Sequence, residues 1–199
     1  MVRSLVALVV AFGFVVSVLP GRAGAGEAQA PAPKKELRKP DVIYVPTPYG
    51  VVEKMLDMAK VQKGEVVYDL GCGDGRIVVA AAKRGAKATG WDINPERVKE
   101  ALENVKKNNV EENAKIVLDD IFTLDLSGAN VVTLYLLSSL NVKLIPQLEK
   151  LAPGSRIVSH DFGMQGVKAD QVVQFTDKDA GSHTIYLWTT PLKKEKEKE

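Results

Sequence analysis

The chain has 199 residues, 45% of them hydrophobic, which is enough for one domain with a sizeable core but too few for a second full domain. The formal net charge is +2. Loss of an N-terminal segment containing Arg3 and Arg22 would balance basic and acidic residues, so the composition predicts no nucleic-acid-binding surface. Cys72 is the only cysteine, which excludes a disulfide within the chain.

The first residues have the organisation of an export signal. Arg3 precedes an apolar run from Leu5 to Leu19, and small residues follow, so we predict a signal peptide over residues 1–25. Cleavage after Ala25 and cleavage after Ala30 both fit the pattern. The run is shorter than the roughly 20 residues that a membrane-spanning helix needs. An uncleaved anchor is the alternative, and it leaves the domain on the same side of the membrane.

Composition divides the rest of the chain into three parts. Residues 26–40 are rich in Ala, Pro and Lys and are predicted to be a flexible linker. Residues 41–191 carry the folded domain, and residues 192–199 are a charged tail. We therefore expect an exported protein, periplasmic or secreted, that meets the membrane only through its signal segment. The pattern predicts no particular oligomeric state.

Within the folded domain, apolar runs rich in β-branched residues alternate with helical patterns. The predicted strands are Val66–Leu70, Ala88–Trp91, Lys115–Leu118, Val131–Leu136 and Arg156–Ser159. Their nearly continuous apolar character is typical of a parallel sheet with both faces covered. Asn94 and Pro95 mark the start of one helix, because they are a preferred N-cap and a preferred first helical residue.

After Pro153 and Gly154 the pattern changes to strands with little helix between them. DQVVQFT and HTIYLWTTP follow the fifth strand and predict an antiparallel pair that closes the sheet. The predicted fold is therefore α/β: a Rossmann-like, seven-stranded, mostly parallel sheet with an antiparallel C-terminal strand and helices on both faces.

The first strand leads into the glycine loop DLGCGDGR, at the sheet edge where α/β folds bind ligands. Gly71, Gly73 and Gly75 let a ligand approach the backbone closely. The spacing is not the dinucleotide pattern G-x-G-x-x-G. Asp69 and Asp74 would face a pyrophosphate without an added basic group, which disfavours NAD. S-adenosylmethionine fits better, because its ammonium and sulfonium suit acidic neighbours and its carboxylate suits backbone N–H groups.

Acidic residues also end the next two strands. Asp92 follows the second strand, where a carboxylate can accept both ribose hydroxyls of a nucleoside. Asp119 and Asp120 follow the third strand, where a carboxylate can bind the amino group of adenine. Ile121 or Phe122 would then cover the adenine ring. Taken singly, each acid also fits a turn or a helix cap, but three strand ends together predict S-adenosylmethionine binding.

The motifs DLGCGDGR, WDINPERV and DDIF resemble the cofactor motifs of class I, seven-stranded S-adenosylmethionine-dependent methyltransferases. DVIYVPTP, VVTLYLLSSLN and GSRIVSHDF are similar to segments of a narrower group, the small protein-lysine methyltransferases of archaea and mitochondria. The resemblance implies that Cys72 and Ile93, inside these motifs, contribute to the cofactor site. It also implies that Tyr44 and Thr47 contact the cofactor, since this segment folds over the cofactor in that group.

Two further residues are candidates for the methyl-transfer site. Tyr135, at the end of the fourth strand, can offer a hydroxyl or a ring face to a lysine amine, and a core tyrosine is the alternative. His160, at the end of the fifth strand, can relay a proton, and a hydrogen-bonded structural histidine is the alternative. With two histidines and one cysteine, no metal-ligand spacing is present, so no metal is predicted.

These observations favour an S-adenosylmethionine-dependent methyltransferase acting on accessible lysines of a protein partner. The acceptor face carries no added domain, which favours a protein over an enclosed small molecule. A small-molecule methyltransferase and a non-catalytic nucleoside-binding relic are the alternatives. S-adenosylmethionine is made in the cytoplasm, so an exported enzyme would need a supply outside.

Overall fold

A computed structural model describes residues 37–195 of the chain. The predicted signal peptide, most of the predicted linker and the end of the charged tail lie outside the described residues. The helices are α1 (Tyr49–Met58), α2 (Arg76–Lys83), α3 (Pro95–Lys107) and α4 (Ser138–Leu148), with a short 3-10 helix at Ile121–Thr123. The strands are β1 (Val66–Leu70), β2 (Lys87–Asp92), β3 (Ala114–Leu118), β4 (Val131–Leu134), β5 (Arg156–His160), β6 (Gln171–Asp177) and β7 (Gly181–Thr189).

The strands form one sheet in the order β3-β2-β1-β4-β5-β7-β6. The pairs among β1 to β5 are parallel, and β7 runs antiparallel to both β5 and β6. The predicted fold class is therefore confirmed. The chain order reverses between β1 and β4, and ligands of open α/β sheets bind at such a point, beyond the carboxyl ends of the strands.

The sheet separates two apolar cores, as alternation along each strand requires. Val67 of β1 and Val131 of β4 pack with α1, α2 and α3 on one face. Leu70 and Leu134, from the same two strands, pack with α4 and the 3-10 helix on the other face. Helices thus cover both faces, which explains why the strands are continuous apolar runs.

Local chemistry fixes the helix starts that border the cleft. The Asn94 side chain accepts a hydrogen bond from Glu96 N, and Pro95 occupies the first turn, so the predicted start of α3 is confirmed. Before α2, Gly75 adopts φ +76° and lies against α3 so closely that a Cβ atom would come within 2.9 Å of Ala101 Cβ. Glycine at this position lets α2 and α3 pack together.

One predicted boundary shifts in a way that shapes the site. β4 ends at Leu134, two residues before the predicted end, so Tyr135 and Leu136 leave the sheet and line the cleft described below. Within residues 37–195, no helix is long and apolar enough to cross a membrane.

Candidate active site

A cleft with an empty volume of about 920 Å³, partly open to solvent, lies beyond the carboxyl ends of β1 to β4. Residues 38–47, which form neither helix nor strand, line one side of it. The predicted site residues on its wall are Tyr44, Thr47, Asp69, Gly71, Cys72, Asp92, Ile93, Asp120, Ile121 and Tyr135. Gly73, Gly75, Asp119, Phe122 and His160 are not part of the cleft wall. Most of the predicted site residues, although distant in sequence, therefore lie together at one edge of the sheet.

Asp69 presents a buried carboxylate oxygen to the cleft. Its side chain is 2% exposed, and Oδ1 accepts a 2.6 Å hydrogen bond from the Thr133 hydroxyl. Among the described residues, Oδ2 has no hydrogen-bond partner. Burial, which outweighs the Thr133 bond and is reinforced by Asp92 and Asp74, raises the pKa of this carboxyl to about 7. A buried acceptor without a partner suits a ligand that brings a positive charge, such as an amino acid ammonium.

Asp92, at the end of β2, is held in a fixed orientation by backbone donors. Its Oδ2 accepts a 2.9 Å hydrogen bond from Gly73 N, and its Oδ1 accepts a 2.8 Å bond from Asn94 N. Each carboxylate oxygen can accept a second bond. The side chain can therefore take both hydroxyls of a ribose while it holds the glycine loop.

Asp120, after β3, is bound by an arginine that the sequence analysis did not select. Arg38 donates from Nε and Nη2 to the two carboxylate oxygens at 2.5 and 3.0 Å, and Phe122 N donates to Oδ1 at 3.0 Å. These contacts, the Arg38 bonds first, lower the pKa of Asp120. The neighbouring Asp119 accepts a 2.7 Å hydrogen bond from Asp120 N at its Oδ1. Asp120 lines the cleft, whereas Asp119 is not part of its wall.

Phe122 packs between two cations. The Arg38 guanidinium lies 5.0 Å from the ring centroid, and Lys143 Nζ lies 3.8 Å from it. Ile121, on the cleft wall, is placed to cover a ring bound beside Asp120. The sequence offered Ile121 or Phe122 as the residue that covers the adenine ring, and of these two only Ile121 lies on the cleft wall.

Arg76, at the start of α2, joins the glycine loop to the N-terminal segment. It forms a 2.6 Å ion pair with Asp74 and donates to the Thr47 carbonyl at 2.9 Å. Its hydrogen bonds help to lower the pKa of Asp74, against the opposing effect of burial. Arg38, Arg76 and Arg97 all line the cleft. The premise that no basic group lies near the loop is therefore wrong, because Arg76 belongs to the loop motif itself and Arg38 and Arg97, which are distant in sequence, line the same cleft.

Behind the cleft wall, His160 belongs to a cluster that the sequence analysis did not foresee. His160 is fully buried, and its ring centroid lies 3.9 Å from that of Tyr135. Its Nε2 lies 2.9 Å from Nδ1 of His183 and 3.1 Å from Oδ2 of Asp161. His183 is the third residue of β7, and the antiparallel pairing of β5 with β7, which sets His160 opposite Ile185, brings it close to His160. Such a cluster could not be predicted from the sequence, because the sequence does not give the register between two strands.

S-adenosylmethionine fits these residues as cofactor. The unpartnered Asp69 oxygen suits its ammonium group, the oriented Asp92 carboxylate suits its ribose, and the loop glycines leave room beside their N–H groups. Fold and site together define a class I S-adenosylmethionine-dependent methyltransferase. The family model of the ANTKMT methyltransferase domain matches residues 69–171. The chain belongs to this family, and S-adenosylmethionine is its cofactor.

Individual relatives agree with this assignment. A protein-lysine N-methyltransferase from Saccharolobus islandicus is 49% identical over 152 residues, covering 75% of this chain and 94% of that protein. A human lysine N-methyltransferase, named for a component of ATP synthase, is 31% identical over 127 residues, covering 63% of this chain and 54% of that protein. This chain thus matches about half the length of the human protein.

A solved structure is similar over nearly its whole length. It is described as an RNA methyltransferase from Salinibacter ruber in complex with S-adenosyl-L-homocysteine, with 45% identity and a TM-score of 0.69. The match covers 77% of this chain and 98% of that one. Its bound product, the demethylated cofactor, agrees with the cofactor assigned here.

Proposed function

We propose that this protein transfers the methyl group of S-adenosylmethionine to the side-chain amino group of lysines in other proteins. The observation that carries the proposal is the 49% identity to a protein-lysine N-methyltransferase across 94% of that protein's length. The human relative is also a lysine methyltransferase by name. The surface agrees, because Ile43 and Val45, beside the cleft, are 87% and 51% exposed and offer an apolar area to a protein partner.

On the cofactor side, we assign each strand end one part of the ligand. The Asp69 carboxylate would bind the ammonium group, the Asp92 carboxylate the ribose hydroxyls, and Asp120 the adenine amino group next to Ile121. Gly71, Cys72, Gly73, Gly75 and Ile93 would shape the backbone around the ligand, and Tyr44 and Thr47 would cover it from the N-terminal segment. These roles rest on position, burial and free acceptor capacity.

On the acceptor side, Tyr135 is the residue best placed to meet a lysine. Its ring is on the cleft wall, and burial, reinforced by Asp161, raises the pKa of its hydroxyl, so the hydroxyl remains protonated at neutral pH. The bound cofactor supplies a methyl group on a positively charged sulfur. The protein then has to exclude water and hold a neutral amine in line with the carbon. Tyr135 and Leu136 form the wall that does so.

The test follows tritiated methyl groups from S-adenosylmethionine into macromolecules. The purified protein is incubated with dialysed protein and with total RNA from the source cells, and Asp92→Ala serves as the control that lacks cofactor binding. We expect label in protein, released after hydrolysis as methyl-lysine, and no label with the control. The experiment includes RNA as an acceptor because the similar structure from Salinibacter ruber is described as an RNA methyltransferase.

Other distributions of label would replace the proposal. Label confined to RNA would make the protein a nucleic-acid methyltransferase. Label only in dialysable material would make it a small-molecule methyltransferase. Cofactor binding without transfer to any acceptor would favour the non-catalytic relic.

We further propose that residues 1–25 direct export. Arg3, the following apolar run and the small residues up to Ala25 or Ala30 support this proposal. The measurement is the N-terminal sequence of the protein recovered from the extracytoplasmic fraction, which should begin at Gly26 or Pro31. An intact N-terminus in the cytoplasmic fraction would contradict it.

A further inference from the structure

A continuous series of hydrogen-bonding groups leads from the cleft into the protein. Thr47 lines the cleft, and its hydroxyl lies 3.2 Å from Nδ1 of His160. On the other side of the imidazole, Nε2 is hydrogen-bonded to Nδ1 of His183 at 2.9 Å and lies 3.1 Å from Oδ2 of Asp161. His183 Nδ1 is in turn hydrogen-bonded to the same Asp161 oxygen at 3.1 Å. The Asp161 side chain is 30% exposed, whereas His160 is fully buried. The series therefore begins at the cleft and ends at solvent.

The backbone holds Asp161 in a conformation that aims its carboxylate at the histidine. Its φ is +56°, a region that residues other than glycine rarely adopt. Asp161 N donates to the Thr184 carbonyl at 2.7 Å, and Thr184 N donates to Asp161 Oδ1 at 2.7 Å. Oδ2 is thereby left to face both His160 and His183, whose Nδ1 lies 3.1 Å away.

The proposed reaction requires a route for a proton. A lysine side chain is an ammonium ion at neutral pH, because its unperturbed pKa is about 10.4, and it has no lone pair with which to attack carbon. The cleft would exclude bulk water once acceptor and cofactor are bound. A base within the cleft, or a path out of it, then determines the rate near neutral pH.

We propose that Thr47, His160 and Asp161 conduct the proton of the acceptor lysine from the cleft to solvent. The inference rests on lysine being the acceptor, as proposed above. Tyr135 would hold the lysine side chain in the cleft, Thr47 would take the proton from its ammonium group, and His160 and Asp161 would act through Thr47. His183 and Tyr135 complete the surroundings of the imidazole, together with the Thr47 and Asp161 side chains.

The transfer balances as follows. The ammonium gives a proton to Thr47 Oγ1, the hydroxyl gives its own proton to His160 Nδ1, and Nε2 of His160 releases a proton to Asp161 Oδ2 and on to water. The neutral lysine nitrogen then forms the N–C bond as the S–C bond breaks, and the sulfur keeps the electron pair. When product has left and water fills the cleft, a proton moving the opposite way along the same contacts restores the starting tautomer.

The charge states of His160 and Asp161 suit a relay in which the imidazole is neutral before and after each proton transfer. Burial lowers the pKa of His160 to about 4, against the opposing influence of Asp161, so the imidazole is neutral at neutral pH and one of its ring nitrogens can accept a proton. The pKa of Asp161 is lowered as well, because the Thr184 and His183 hydrogen bonds outweigh its partial burial. Its carboxylate is therefore ionised at neutral pH and, as a weak base, would pass a proton on to water rather than keep it.

The first test needs no methyl transfer. Long-range ¹H–¹⁵N spectra of histidine-labelled protein with bound S-adenosylhomocysteine report which ring nitrogen of His160 carries hydrogen. The relay requires hydrogen on Nε2 and an acceptor lone pair on Nδ1 at neutral pH. Hydrogen fixed on Nδ1, donated to Thr47, would overturn the relay, whatever the protein methylates. Stoichiometric zinc or another divalent metal in the purified protein, lost in Asp161→Asn, would also overturn it, since the metal would occupy the path.

The second test uses two nearly isosteric substitutions and one rescue. Thr47→Val removes the hydroxyl, Thr47→Ser restores it, and Asp161→Asn keeps hydrogen bonding and tolerates the positive φ but cannot take the proton. Single-turnover methylation of poly-L-lysine is measured from pH 6 to 10 at saturating cofactor. For Thr47→Val and Asp161→Asn we expect a loss of roughly 100-fold or more near pH 7 that narrows toward pH 10, where hydroxide replaces the relay. Thr47→Ser should restore most of the rate.

A loss that stays constant across the pH range would mean that the residues serve only structure or cofactor binding, and the relay would be rejected. Cofactor dissociation constants, measured by calorimetry for each variant, separate the two cases. A wild-type protein that binds cofactor but methylates no lysine contradicts the proposed function instead, and the tautomer measurement then decides the relay independently.

Discussion

The aromatic ring of Tyr44 lies directly over Gly73, so close that a Cβ atom at position 73 would come within 2.2 Å of Tyr44 Cε2. The Arg97 guanidinium stacks on the same ring, 4.8 Å from its centroid. Gly73 N also donates to Asp92, the proposed ribose ligand. The N-terminal segment and the glycine loop are therefore shaped by each other, which gives a physical reason for a glycine at this position.

Gly73→Ala should displace Tyr44 and weaken cofactor binding. The matched control is Gly64→Ala, because Gly64 also has positive φ, at +84° against +53°, but has nothing within 4 Å of the added Cβ. Both variants carry the backbone strain of about 1–2 kcal/mol. Only Gly73→Ala should also lower affinity for S-adenosylhomocysteine, roughly tenfold or more, in calorimetry. Equal affinity in the two variants would show that the ring contact has no role in binding.

Asp92→Ala should lose most of the affinity for S-adenosylmethionine without unfolding the domain. Two charge-assisted hydrogen bonds to ribose would disappear, each contributing about 1.5–3 kcal/mol, so we expect a loss of roughly 100-fold or more. Calorimetric titration and circular dichroism measure the two properties. Asp92→Asn is the control for loop structure, because an amide oxygen can still accept from Gly73 N. Unchanged affinity in a folded Asp92→Ala protein would remove the ribose assignment.

The sequence predicted the sheet well because alternating apolar runs and the Asn94-Pro95 signal are local features. It also brought together Asp69, Asp92 and Asp120, since strand ends of a parallel sheet share one edge. These predictions needed only the order of strands, not the details of side-chain packing.

Contacts between distant segments were out of reach. Arg38 binds Asp120 across 82 positions, and nothing in the composition of its linker-like neighbourhood distinguishes it. His183 meets His160 only because of the register in which β5 pairs with β7. The pattern of apolar and polar residues within each strand does not determine that register. Arg76 was visible in the glycine loop, and its position two residues after Asp74 was the signal that could have identified the ion pair.

The affinity for S-adenosylmethionine should rise with pH as Asp69 ionises. Its pKa is about 7 in the protein without ligand, and the protonated carboxyl cannot pair with an ammonium ion. Below this pH, binding must first expel a proton, so affinity should fall by up to tenfold for each pH unit. Calorimetry from pH 5.5 to 8.5 tests this, with Asp69→Asn as a variant that should bind weakly and without this dependence. A flat wild-type profile would contradict the ammonium assignment.

Arg38→Met should loosen the N-terminal segment over the cleft. Arg38 binds Asp120 in two places and also donates to Asp41 at 2.6 Å, so its removal frees residues 41–45 to open. Hydrogen exchange of these amides should become several-fold faster, in keeping with about 1 kcal/mol for a partly exposed ion pair. Arg84→Met is the control, because Arg84 pairs with Glu53 and Asp57 of α1. Similar exchange in both variants would show that Arg38 does not tether the segment.

His160 should make the domain sensitive to mild acid. Its pKa is about 4 in the folded protein and near 6.5 when unfolded, so the unfolded chain binds more protons between these values. The stabilising contribution of the neutral imidazole is complete above about pH 6.5 and is lost as pH falls toward 4. Asp69 acts in the opposite direction, since its raised pKa favours folding below about pH 7.

The experiment therefore compares wild type with His160→Gln, because both proteins contain Asp69 and its effect cancels in the difference. Urea unfolding at pH 7.5, 6.0 and 4.5 should show a steeper decline in the free energy of unfolding for the wild type. Parallel declines in the two proteins would mean that His160 titrates normally and is not buried as a neutral ring.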